Sequence, residues 1–166
     1  VVGAGTTVEG KIPHSLHAAF VAGGTPGATV ELAVERVRDG RSFATRRVSV
    51  YEQGRELLAA IVSFHDGPDD IEVSPPPPVV DGPEGLPVLQ AWAVEAPDEH
   101  QEMTRRWVEV PPALEMRLAE PPTFFGGPVG EGPRSHWMRL PRAVNDPVLD
   151  AAMLAYSSDY FLLDMA

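Results

Sequence analysis

The chain has 166 residues, 43% of them apolar, and a formal net charge of −11. It is long enough for one ordinary domain, or a small domain plus part of a second, with a real core. The acidic balance argues against general nucleic-acid binding, the absence of cysteine excludes disulfides, thiolate catalysis and cysteine-based zinc sites, and no run of about 18 apolar residues offers a membrane span.

Charge and proline divide the chain. Residues 1–65 hold seven basic and six acidic residues and residues 66–166 hold six and eighteen, so an anionic ligand is better received by the first part. The acidic remainder reads most simply as a solubilising surface. Fourteen of the eighteen prolines fall between 66 and 133, including the run Pro75–Pro78. Three segments are therefore expected: a first unit over 1–65, a proline-rich linker and connecting stretch over 66–111, and the start of a second unit over 112–166.

Val1–Val8 is small and apolar and reads as the end of a helix. It is too short and glycine-rich to be a whole one, and with no initiating methionine it suggests that the true start lies upstream. His14–Val21 reads as a strand ended by Gly23-Gly24. Val30, Leu32 and Val34 alternate with Glu31, Ala33 and Glu35, the period of a half-buried strand. Asp39-Gly40 is a strong hairpin signal, after which Phe43–Tyr51 returns. A second turn at Glu52–Arg55 leads into Leu57–Phe64, apolar enough for the middle of a sheet. Four strands in a meander are predicted.

Four consecutive prolines favour polyproline II and cannot join a central strand, so Asp66–Pro83 is read as a linker. Residues 87–107 are expected to form a short helix or loop. Ala113–Ala119 and Arg134–Leu140 alternate as strands, His136 and Met138 opposing Trp137 and Arg139. Gly126, Gly127, Gly130 and Gly132 mark an exposed loop. Asp146-Pro147 supplies an N-cap and a first helical position. Val148, Leu149, Ala152, Met153 and Tyr156 then share one face of a helix ending near Ser157-Ser158, with Asp159 just beyond.

Six of these segments, in order, resemble those of the acyl-CoA thioesterase II family. They are His14–Phe20 (an HSLHAYF-type strand), Arg36–Val48 (RDGRSFxTRRV), Ala60–Phe64, Leu114–Arg117, Trp137–Arg139 and Leu154–Asp159 (LAYxSD). The resemblance covers nearly the whole chain. It implies an α+β, double hotdog fold, in which each antiparallel sheet wraps a central helix. The first hotdog is nearly complete here and the second only begun. It also implies hydrolysis of acyl-CoA to a fatty acid and coenzyme A, with no cofactor, a cytoplasmic location and homo-oligomers formed through the hotdog sheets. In the family an Asp, a Ser or Thr and a Gln hold and activate a water. The Asp of the LAYxSD motif is Asp159. The resemblance implies that the other two follow Ala166 and that an FGGQ-type segment precedes Val1, so this stretch alone is expected to be inactive.

The residues themselves leave other readings open. Asp159 is also what a solvated carboxylate past a helix end looks like. Arg36, Arg38, Arg41, Arg46 and Arg47 suit the phosphates of coenzyme A, with Arg38 and Arg41 the candidates for substrate contact. Strand parity puts Arg36 and Arg38 on one face and Arg46 and Arg47 on opposite faces, and solvated or edge arginines would look the same. His14 and His17, at odd spacing, are expected on opposite faces of a strand and not as a metal pair, so no metal site is expected. No G-x-S-x-G elbow is present, and Gly3-x-Gly5 lacks the rest of a nucleotide fingerprint. Trp92, Trp107 and Trp137 either line an acyl channel or fill a core. Two rivals to the hydrolase are a non-catalytic acyl-CoA-binding or structural hotdog and a hotdog hydratase or dehydratase.

Overall fold

The computed structural model describes residues 1–67, 73–129 and 134–160. The chain forms two compact units, Val1–Val73 with Val144–Tyr156, and Ser74–Ala143 with Ser157–Ala166.

The first unit is built on an antiparallel sheet of β1 (Ile12–Phe20), β2 (Glu31–Asp39), β3 (Phe43–Glu52) and β4 (Arg55–His65). The order is β1-β4-β3-β2, not the predicted meander. Two features explain the difference. The ten residues between Phe20 and Glu31 include Gly23, Gly24, Pro26 and Gly27, which is too long and irregular for a tight hairpin. The chain instead runs from one sheet edge to the other, tied down where Glu52 accepts from the Thr25 N–H (3.2 Å) and Arg55 donates to the Gly23 carbonyl (2.8 Å). Meanwhile β4, apolar on both faces, takes the interior position flanked by β1 and β3, as its composition requires. The β3–β4 turn places Gln53 and Gly54 at φ 49° and 79°, the doubly left-handed geometry whose twist matches the flanking strands.

Parity sorts the sheet. Ala44, Val48, Ala60, Val62 and Phe64 are buried on its inner face, where a single turn of helix, α1 (Val2–Gly5), lays Ala4 against them. A Cβ on Gly3 would meet Leu32 Cδ2 at 2.4 Å, and one on Gly5 would meet Val148 Cγ1 at 2.5 Å. These glycines weaken the helix but let its backbone approach the sheet and the segment around Val148. Three bulges interrupt the parity of this sheet. One between Arg36 and Arg38 pairs Arg36 with Arg46 but Arg38 with Thr45. A second, between Pro13 and Ser15, lies at His14. The third lies at Leu57, where Val50 pairs with Leu58 but Tyr51 with Glu56.

The second unit contains α2 (Leu89–Glu95), α3 (Gln101–Glu109) and an antiparallel pair, β5 (Glu115–Leu118) and β6 (His136–Arg139). Its buried apolar residues include Leu89, Ala93, Leu114, Met116, Leu118 and Phe125. Leu89 and Ala93, four apart, form the inward stripe of α2, and the Trp92 indole N–H donates to the Leu118 carbonyl (3.2 Å). Residues 73–82 of the expected linker have no regular structure. The rest of that stretch at 68–72, and Gly130 and Gly132 of the predicted glycine loop, lie outside the described residues.

The last helix, α4 (Pro147–Ser158), begins where the sequence predicts. Asp146 Oδ1 accepts from the N–H groups of Val148 and Leu149 (both 2.9 Å), and Pro147 fills the first position, where no N–H is needed. The expected one-sided apolar face is only partly realised. Val148, Ala152 and Met153 are half-buried, whereas Leu149 and Tyr156 are exposed, and Leu154 is the most exposed of the helix's large apolar residues. Apolar residues occupy most positions from 148 to 156, so the sequence does not choose one face sharply.

Candidate active site

Asp159 stands immediately after the last residue of α4 and is exposed. The backbone closes there into a turn, the Tyr160 N–H donating to the Ser157 carbonyl (3.2 Å). The Tyr160 ring meets Trp107 of α3 edge-on at 6.3 Å. Trp107 in turn packs on Phe124 (6.0 Å) and Phe125 (6.1 Å). A carboxylate so placed is open to solvent, and its backbone is held from the next residue.

The arginines divide into different environments. Arg46 is 1% exposed. It donates to Thr7 Oγ1 (2.7 Å), to the carbonyls of Thr7 (3.0 Å), Arg38 (2.9 Å) and Thr45 (3.0 Å), and to Asp39 Oδ1 (2.5 Å). It is an internal clamp from the sheet to the chain after α1 and is not available to a ligand. Arg47 pairs with Glu35 at 3.6 Å on the surface, a contact of little energetic weight. Arg38 and Arg41 are exposed, and neither pairs with a carboxylate among the described residues. The expectation that Arg36 and Arg38 share a face is corrected. The intervening bulge puts Arg36 on the inner side with Arg46 and Arg38 on the outer side with Thr45. Arg38 and Arg41 belong to the first unit and Asp159 to the second.

A bulge also changes the histidine reading. His14 Nε2 lies 2.8 Å from Ser63 Oγ, and Ser63 pairs with Ser15 two positions from His17. His14 is thus turned to the outer side, which His17 shares, not the opposite one. Phe43 stacks on His65 at 4.4 Å beside it. Among the described residues no group of three or more His, Asp or Glu side chains is gathered to hold a metal.

In the second unit Glu115 bridges two arginines that line a cleft with Pro83, Trp137 and Met138. Arg117 Nε lies 2.7 Å from one carboxylate oxygen and an Arg139 guanidinium nitrogen 2.9 Å from the other. The hydrogen bond from Arg117, then that from Arg139, holds the Glu115 carboxyl below the usual carboxylate range, against the opposing effect of burial. A carboxyl lowered on folding contributes stability above its unfolded pKa of about 4.3, and that contribution is lost as pH falls through the folded value. Glu115→Gln is therefore expected to flatten the acid side of a melting-temperature profile between neutral pH and about pH 3. An unchanged profile would remove the bridge from the stability of this unit. Half-burial lowers the pKa of His136 at the start of β6.

The Glu115 bridge, the Arg46 clamp and the Trp107–Tyr160 contact were not read from sequence. Only Arg46 carried a signal there, its even spacing with Ala44 and Val48.

An antiparallel sheet with a helical turn on its inner face defines the class: the fold is a hotdog. The structure is similar over 88% of its length to a protein of hotdog fold from Alicyclobacillus acidocaldarius (TM-score 0.54, 18% identity, half of that chain). Residues 1–65 match the family model of the acyl-CoA thioesterase N-terminal domain. Over 92% of its length the chain is 29% identical to acyl-coenzyme A thioesterase 8 of Mus musculus and covers 51% of that protein. It also superposes on acyl-CoA thioesterase II TesB2 from Mycobacterium marinum with a TM-score of 0.72 and 28% identity, over 99% of this chain and 57% of the other. The resemblance to the acyl-CoA thioesterase family is borne out in sequence and in fold. The chain spans about half the length of the curated relatives it matches.

Proposed function

We propose that the protein carrying this chain hydrolyses acyl-CoA thioesters to a free fatty acid and coenzyme A. The supporting observation is the coincidence of the family match over residues 1–65 with the LAYSSD segment, whose Asp159 stands exposed just past α4. In this reading Asp159 accepts a hydrogen bond from a water and takes its proton as the oxygen attacks the thioester carbonyl. A tetrahedral oxyanion forms, the C–S bond breaks, and the departing thiolate takes up the proton that Asp159 removed from the water. A Ser or Thr and a Gln, as in the family, would share that water with Asp159. Arg38 and Arg41 are proposed to meet the phosphates of coenzyme A, since both are exposed and neither is committed to a carboxylate among the described residues. Medium- to long-chain acyl groups, membership of the type II class, a cytoplasmic location and assembly through the hotdog sheets complete the proposal.

The test is release of free thiol from medium- and long-chain acyl-CoA by the full-length protein. Saturable release well above the buffer rate is expected. No release by folded full-length protein across the chain-length series would overturn the reading.

A further inference from the structure

Asp159 is exposed and stands immediately after the last residue of α4. A water-orienting carboxylate needs a fixed direction. The adjacent residue has an anchor. The Tyr160 ring is half-buried and packs at 6.3 Å and 67° against Trp107. Trp107 comes from α3, and it also touches both rings of the Phe124–Phe125 pair, which lie 4.8 Å apart. Phe125 is 1% exposed, so the chain of rings ends in the core of the second unit.

Consecutive Cα atoms are fixed about 3.8 Å apart. Holding the ring of Tyr160, and its N–H on the Ser157 carbonyl, therefore constrains the backbone from which the Asp159 side chain projects. From this geometry we infer that Trp107 and Tyr160 are positioning residues for Asp159. The inference rests on the catalytic assignment of Asp159 proposed above. The contact with Trp107 is made by the Tyr160 ring, which Tyr160→Leu removes. A displacement of a reacting group by about 1 Å costs on the order of 100-fold in rate.

The experiment is a double-mutant cycle on acyl-CoA hydrolysis by the full-length protein, comparing wild type, Tyr160→Leu, Asp159→Asn and the pair. Tyr160→Leu is expected to lower kcat about tenfold or more, with KM within about twofold of wild type and an unchanged circular-dichroism spectrum. In the Asp159→Asn background the same change should cost nothing further, because the residue it positions is already gone. Trp107→Phe, which shortens the anchoring ring, provides a milder variant and should repeat the pattern if Tyr160→Leu fails to fold. Equal losses in both backgrounds, or no loss in either, would overturn the inference while leaving Asp159 in place. An Asp159→Asn variant as active as wild type would remove the catalytic assignment and the inference with it.

Discussion

Replacing Arg46 with alanine is expected to destabilise the chain by about 3 kcal/mol and to lower its melting temperature by roughly 6–12 °C. Arg46 is buried and makes five hydrogen bonds, to Asp39, Thr7 Oγ1 and three backbone carbonyls. Each bond to a charged donor is worth about 1.5–3 kcal/mol in isolation, but such values are not additive. Asp39 is 57% exposed, so it recovers water when its partner leaves. The part-buried oxygens of Thr7 and the two strand carbonyls recover less, and the missing side chain leaves a cavity beneath α1. Arg46→Lys keeps the charge but cannot form the fork. It should recover only part of the loss. A melting temperature within 2 °C of wild type for Arg46→Ala would show that the clamp contributes nothing to stability.

Asp159→Asn is expected to lower kcat for acyl-CoA hydrolysis between about 100- and 10,000-fold, the range that a positioned acid–base group supplies. Asparagine keeps the size and one acceptor oxygen of aspartate. It loses the charge and the ability to take the proton of water. Asp159 is exposed, so its replacement should move the melting temperature little. A fall in activity with a preserved melt would thus speak for chemistry and not for folding.

Much of the sheet was legible because period-two alternation and turn chemistry are local. Leu32 and Val34 against Glu31 and Glu35 identify β2, Gln53-Gly54 closes the turn to β4, and the apolar length of Leu57–Phe64 foretells its central place. The strand order was not legible in the same way. It depends on where the irregular stretch from Val21 to Val30 leads, and that is settled by pairing with β4 and by the contacts of Glu52 and Arg55. The bulge at Val37 has no glycine or proline to announce it, whereas the one at His14 directly follows Pro13, and each reverses the parity that places Arg38 and His14. Arg46 shows two signals in conflict. Its spacing with Ala44 and Val48 points inward and its charge outward, and the four oxygens besides Asp39 that receive its donors decide for the interior. For the candidate site, Asp146-Pro147 and Ser157-Ser158 bracket α4 and so place Asp159 from sequence alone. The Trp107–Tyr160 contact joins residues far apart in the chain and was invisible without the packing of α3.

The most direct measurement is the initial rate of free-thiol release from a saturating long-chain acyl-CoA, taken side by side for the full-length protein and its Asp159→Asn variant at equal concentration. Robust release by the first and a loss of at least about 100-fold in the second are predicted. Equal rates would contradict the role of Asp159, and no release by either would contradict the thioesterase reading itself.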